Sequence, residues 1–130
     1  DARDEKIISE MVLIEGNIPQ NTKRLLIKTN NGYWWKQKSF NQSYVGLSAN
    51  GAQWLVDYGI KLIGIDYLSV ASFDEIQIVH EILLKKDIII IEGLDLTEPN
   101  QGIYEFSCLP LKMVNADGAP ARATLRVLNK

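Results

Sequence analysis

Histidine occurs once in this 130-residue chain, at position 80, and the stretch HEILLKKDIIIIEGL carries it together with Glu92. An imidazole nitrogen and a carboxylate oxygen are both good metal ligands, and zinc centres normally take three or four protein ligands from His, Cys, Asp and Glu. With one histidine and one cysteine, Cys108, a self-contained centre here would have to be rich in carboxylates. His80 and Glu92 supply two ligands between them. A lone histidine on a helix is also a common surface or core residue, and a glutamate closing a strand is a common solvated carboxylate. The residue types by themselves leave both readings open.

Other constellations carry less. Asp66 follows the apolar run IKLIGI and, like Glu92, falls where a parallel strand ends, the edge at which α/β sheets bind ligands; its plainer role is to cap a loop with Tyr67 to Ser69. A Ser69, His80, Asp66 triad can be assembled on paper, but nothing in the spacing supports it. The chain has no Walker-type glycine loop, no Gly-x-Ser-x-Gly elbow and no Cys-x-x-Cys pair. Cys108 lies in an alternating strand, where a free cysteine acts as a small hydrophobe. Trp34 and Trp35 could stack on an aromatic ligand, or seal a core.

The elements that must position these residues read as α/β. ISEMVLIEG predicts a short helix with Ser9 as N-cap and Gly16 as stop. Lys23 to Thr29 predicts a strand ending at an Asn30-Asn31-Gly32 turn. YWWKQKSFNQSYVG has no clean period and reads mostly as loop. Ser48 caps a helix through ANGAQWLVDY that Gly59 stops, and Ile60 to Ile65 reads as a strand buried on both faces. Asp74 precedes a further helix with Gln77 placed for a capping box; Ile76, Val79 and Leu83 form its apolar face, His80 lies beside that face, and Lys85 and Lys86 suit its C-terminal dipole. DIIIIEG reads as another fully buried strand with Glu92 at its C-terminal end. Strands alternating with helices predict a parallel sheet with right-handed crossovers. The tail departs from this: IYEFSCLPLKMV and PARATLRVL are β-rich runs around Asn115-Ala116-Asp117-Gly118, a hairpin turn.

The bulk numbers fit one globular domain over residues 1–130. Hydrophobic residues make up 46%, charged residues 23%, and the net charge is −2. That charge gives no basic footprint, which argues against nucleic acid as a partner. No apolar run reaches the roughly 20 residues of a membrane span, and DARDEK has no signal-peptide character. A single cysteine suits a reducing cytoplasm. The start at Asp1, without methionine, suggests a processed or truncated piece of a longer protein.

The segments GIDYLSVASFD, HEILLKKDIIIIEGLDL and CLPLKMVNADGAPARATL, in that order, resemble the cyclase family, which includes kynurenine formamidase (arylformamidase). The shared pattern is Gly-x-Asp-x-x-Ser, a His-x-x-Leu-Leu helix, a strand ending in Glu-Gly-Leu, then Pro-Leu-Lys and Asp-Gly-x-Pro-x-Arg-Ala. KRLLIKT and LSANGAQWLVDYGIKLIGID agree with it, so the resemblance runs from about Lys23 onward. It implies a swivelling β/β/α-type fold and a metal-dependent hydrolase acting on an amide such as the formamide of N-formylkynurenine, with zinc or manganese as cofactor. It also implies that His80 and Glu92 are metal ligands.

Family members carry a second motif, His-x-Gly-Thr-His-x-Asp-x-Pro-x-His, in their N-terminal half, and a chain with one histidine cannot contain it. The resemblance is therefore to the C-terminal part of the fold, lacking the N-terminal part. Near the end, the usual Ser-Pro-Val-Arg is Ala119-Pro120-Ala121-Arg122; Arg122 could orient a carboxylate substrate or brace the hairpin. The expectation is a portion of an amide hydrolase, inactive by itself, that need not bind a metal alone; zinc or manganese belongs to the complete family site. The alternatives are a non-catalytic binding or oligomerisation domain, or a site completed across an oligomer interface. Each anticipates a homo-oligomer, with a small-molecule amide as substrate only where the site is completed, and no membrane partner.

Overall fold

The computed structural model describes residues 1–128. They form two compact units, one over Asp1–Glu98 and one within Pro99–Lys130. No helix among the described residues is long and apolar enough to cross a membrane.

The first unit is built on a three-stranded parallel sheet of β1 (Arg24–Ile27), β2 (Leu62–Ile65) and β3 (Ile89–Ile91), in the order β1-β2-β3. Parallel neighbours need crossover connections, and two helices supply them. Helix α2 (Ala49–Tyr58) lies between β1 and β2 in the chain, and α3 (Ile76–Leu84) between β2 and β3. A shorter helix, α1 (Glu10–Glu15), precedes the sheet. The caps read from the sequence form: Ser9 accepts from Val12 N–H, Ser48 accepts from Gly51 N–H, and Gly59 closes α2 at φ 86°, where a side chain would be strained.

Every residue of β2 is buried, as a central strand covered on both faces requires. Ile63, Ile65, Leu55, Val79, Leu83 and Ile88 pack into one core. Burying side chains of this size stabilises the fold by about 1.5–3 kcal/mol each. Val79 and Leu83, one turn apart, thus anchor α3 and set the direction in which His80 points.

Four local expectations are corrected. DIIIIEG is not buried throughout: Ile88 is, but Ile89 is 58% exposed and Ile90 and Ile91 are half-buried. The reason is position, since β3 has β2 on one side and ends the sheet. The capping box does not form. Asp74 lies inside a 3-10 turn over Phe73–Glu75, Gln77 Nε2 donates to Glu81 Oε1 at 3.0 Å, and the Glu75 carboxylate instead accepts the Ala49 N–H at the start of α2. Ile76 is 39% exposed, so the apolar face of α3 rests on Val79 and Leu83. Finally, Asn30–Lys36 is a 3-10 helix rather than a turn followed by loop. Thr29 caps it, and Asn31, fully buried, pairs with both backbone groups of Val45 (Nδ2 to O at 2.7 Å, N to Oδ1 at 2.9 Å).

Those polar contacts converge on Asp66. Its buried carboxylate accepts from Thr29 N–H at 2.8 Å and from the Thr29 hydroxyl at 2.7 Å, while its carbonyl accepts from Trp35 Nε1 at 3.0 Å. The capping role foreseen for Asp66 is therefore the one the structure shows, though its partners come from the end of β1 rather than from Tyr67 to Ser69. A second clasp runs through Leu47, whose N–H donates to Val70 O and whose carbonyl accepts from Ser72 N–H, both at 2.8 Å. Gly46 permits this approach, because a Cβ there would lie 2.4 Å from the carbonyl carbon of Ala71.

The second unit is an antiparallel hairpin of β4 (Tyr104–Pro110) and β5 (Ala121–Val127), as expected. The connection is longer than a tight turn: Leu111 N–H donates to Pro120 O at 2.9 Å, with Asn115 at φ 53° inside the loop.

Two outcomes follow from the clasps. Gly46→Ala forces a methyl group into the backbone of Ala71 and is expected to cost about 1–3 kcal/mol, read as a lower urea midpoint; an unchanged midpoint would contradict the close packing. Burial pushes the Asp66 carboxyl above its ordinary value, more than the Thr29 hydroxyl and amide pull it down. Folding therefore favours the neutral acid. Its stabilisation is complete below the unfolded value of 3.8 and is lost as pH rises through the folded one. The difference in unfolding free energy between wild type and Asp66→Asn should shrink across that interval, and a flat difference would count against it.

Candidate metal-binding site

His80 stands in the second turn of α3, and Glu92 one residue past β3. After Glu92 the chain turns at Gly93, whose φ of 73° is in the left-handed region and whose N–H donates to Tyr67 O at 2.7 Å. The helix and strand thereby bring the two side chains together, with His80 Nε2 3.2 Å from Glu92 Oε1. Glu92 Oε1 also accepts the Val70 N–H at 2.7 Å. Both side chains are about two-thirds buried.

The proton arrangement follows from the partners. His80 Nδ1 is 2.8 Å from the carbonyl oxygen of Ile76, one helical turn earlier. A carbonyl only accepts, so Nδ1 carries a proton. In the neutral ring, Nε2 is then a lone pair facing a carboxylate oxygen. Two electron-rich atoms at that distance need a positive charge between them, either a second ring proton or a cation. As an ion pair this partly exposed contact is worth about 0–1 kcal/mol. As a donor set it suits a metal: the backbone carbonyl on Nδ1 is the kind of support that fixes the tautomer of a ligating histidine. The spacing is close to one that suits a metal too, since two ligands about 2.0–2.2 Å from a shared tetrahedral ion lie about 3.3–3.6 Å apart.

The other candidates are dispersed. Asp66 gives both oxygens to Thr29, and His80 Nδ1 faces Ile76 O, so no Ser69–His80–Asp66 triad exists. Ser69 Oγ accepts from Ala71 N–H at 3.2 Å. Cys108 is half-buried in β4 opposite Ala123, and Arg122 is exposed opposite Leu109. Trp35 is committed to Asp66 O and packs near Tyr67, with ring centroids 6.1 Å apart. Among the described residues no group of three or more His, Cys, Asp and Glu side chains could hold a metal.

One neighbour of the pair and one buried aromatic were not anticipated. The Val70 amide is a backbone group, which a residue-type search passes over. Tyr44 sits in the stretch read as loop, yet it is buried, with its ring 4.6 Å from that of Tyr67 and 5.8 Å from that of Phe40. The run of aromatics from Tyr33 to Tyr44 was the available signal.

Comparison with known proteins identifies the family of the chain. A family model described as "Putative cyclase" matches residues 3–72. Cyclase-like protein 3 of Oryza sativa subsp. japonica is 48% identical over 128 residues, covering 95% of this chain and 47% of that protein. Kynurenine formamidase of Geobacillus thermodenitrificans is 42% identical over 104 residues, covering 79% of this chain and 49% of the enzyme. A solved structure of a potential metal-dependent hydrolase with cyclase activity superposes with a TM-score of 0.82 at 31% identity, over 93% of this chain and 58% of that one. The chain spans about half the length of the curated relatives it matches. The family match reaches across more than half of its residues, and the fold is that of the cyclase-family hydrolases: this chain belongs to the cyclase family.

Proposed function

We propose that this chain contributes part of the metal centre of an amide hydrolase, with His80 Nε2 and Glu92 as ligands to zinc or manganese. The observation that carries the reading is the 3.2 Å approach of Nε2 to Glu92 Oε1 with Nδ1 held by the Ile76 carbonyl. Both metals suit one imidazole and one carboxylate. A bound divalent cation supplies Lewis-acid polarisation of an amide carbonyl and lowers the pKa of water.

The chain's own groups prepare the site. The Ile76 carbonyl holds the ring in the tautomer that presents Nε2, and the Val70 amide holds the carboxylate against it. Leu83 and Val79 keep α3 from rotating His80 away. The substrate class is an amide of the N-formylkynurenine type, supported by the kynurenine formamidases among the relatives. Two ligands fall short of a catalytic centre, so the further ligands come from outside these 130 residues and the chain alone is inactive.

A second reading, a non-catalytic binding or oligomerisation domain, is favoured by the hairpin. Its register puts Tyr104, Phe106, Cys108, Leu125 and Val127 on one face, and Glu105, Thr124 and Arg126 on the other. A two-stranded hairpin is marginal alone, and such an apolar face favours self-association.

Titration with zinc and with manganese, counting ions per chain, separates these readings. Saturable binding lost in both His80→Ala and Glu92→Gln is expected, and equal uptake by wild type and variants would overturn the metal reading. The chain alone should leave N-formylkynurenine intact with either metal; turnover would refute the two-ligand account. Sedimentation should find a self-associated species, and a clean monomer would count against assembly.

A further inference from the structure

Trp35 is held in place like a core residue and yet faces outward. Its Nε1 donates to the Asp66 carbonyl at 3.0 Å, and its ring centroid lies 6.1 Å from that of the buried Tyr67. Even so, Trp35 is 43% exposed. An indole that only sealed the core would be covered by it, because its large apolar faces gain most from complete burial. With Nε1 spent on Asp66, the exposed part offers ring face and no hydrogen bond.

The ring also stands next to the candidate pair. Cη2, on the six-membered ring, lies 3.7 Å from the point that a Cβ on Gly93 would occupy, and Gly93 follows Glu92 directly. The Gly93 N–H donates to Tyr67 O at 2.7 Å, and three residues after Tyr67 the Val70 N–H holds Glu92 Oε1 at 2.7 Å. The turn at Gly93 thus has the indole packed on it and the carboxylate one residue before it. Phe40, 52% exposed, stacks on the same Tyr67 ring with centroids 6.0 Å apart, so the surface beside this turn is aromatic beyond Trp35 itself.

We infer that Trp35 is a specificity-determining residue of the His80–Glu92 site, its exposed indole face taking the aryl ring of an aryl amide and setting the amide group beside Glu92. The inference rests on the amide-hydrolase reading above and assigns one part of the substrate to a residue of this chain. A flat ring stacks offset on the indole, whereas a saturated ring of the same size gains the burial without the stacking. The indole is already pinned by Asp66 and by its packing on Gly93, so little side-chain freedom is lost when a ring docks.

Formanilide and N-cyclohexylformamide, titrated into the full 130-residue chain and followed by NMR at the Trp35 indole N–H, test it. Formanilide should bind about two- to tenfold more tightly, the range that aromatic stacking adds to burial, and Trp35→Leu should lose that preference. Equal affinity for the two probes overturns the inference, as does a preference that persists in Trp35→Leu. The wild-type titration stands without any variant, since an indole signal that formanilide leaves unmoved also overturns it. With manganese added, the formyl proton of formanilide should broaden more than its para ring proton, and His80→Ala should abolish the difference. Stronger broadening of the ring proton would put the aryl group, not the amide, at the metal and refute the assignment. If His80→Ala takes up manganese as wild type does, the metal reading itself fails and the role of Trp35 with it, a pattern distinct from the probes failing while metal binding is intact.

Discussion

The arrangement of the first unit depends on one buried carboxylate. Asp66 leaves the C-terminal end of β2 and accepts both the amide and the hydroxyl of Thr29, which leaves the adjacent end of β1. Two parallel strands end side by side, and this contact, with the Trp35 indole on the Asp66 carbonyl, ties their exit segments together. The cost is the desolvation of a carboxyl group, visible as the upward push on its pKa. What that cost secures is the placement of two loops at once: the 3-10 helix that begins after Thr29 and the Tyr67–Ala71 segment that follows Asp66.

Both loops matter to the site on the next strand. The 3-10 helix carries Asn31, which holds Val45, and so sets the segment from Tyr44 to Leu47 against Val70 and Ser72. That places the Val70 amide over Glu92. The path from Asp66 to Glu92 is therefore a chain of hydrogen bonds in which the side chains of Asp66, Asn31 and Glu92 grip backbone groups, with Gly46 allowing the close backbone approach along it. His80 arrives independently, on a helix fixed by Val79 and Leu83. The pair is made where an apolar constraint and a polar one meet.

Much of this was legible in the sequence because it is local. Ser9, Ser48, Gly16 and Gly59 mark helix ends through contacts within a few residues, and IKLIGI announces a doubly covered strand by composition alone. The misread parts share a different cause. Glu75 and Gln77 were free to choose partners outside their own helix, and Glu75 went to the start of α2. Four isoleucines do not distinguish a central strand from the last strand of a sheet, so the exposure of Ile89 could not be foreseen. The segment from Tyr33 to Tyr44 has no period because it is shaped by Asp66, Asn31 and Tyr67, all distant from it in sequence or acting through backbone groups.

What the sequence by itself determined is the set of elements, the parallel order they imply, the family pattern, and the choice of His80 and Glu92 as the candidate pair. These depend on spacing and side-chain chemistry, both of which are written along the chain. What only the tertiary structure decided is which atoms face each other: Nε2 rather than Nδ1 toward Glu92, and the Val70 amide on Oε1. Those choices depend on the direction of a helix face and the meeting of separate backbone segments, and no local run of residues encodes either.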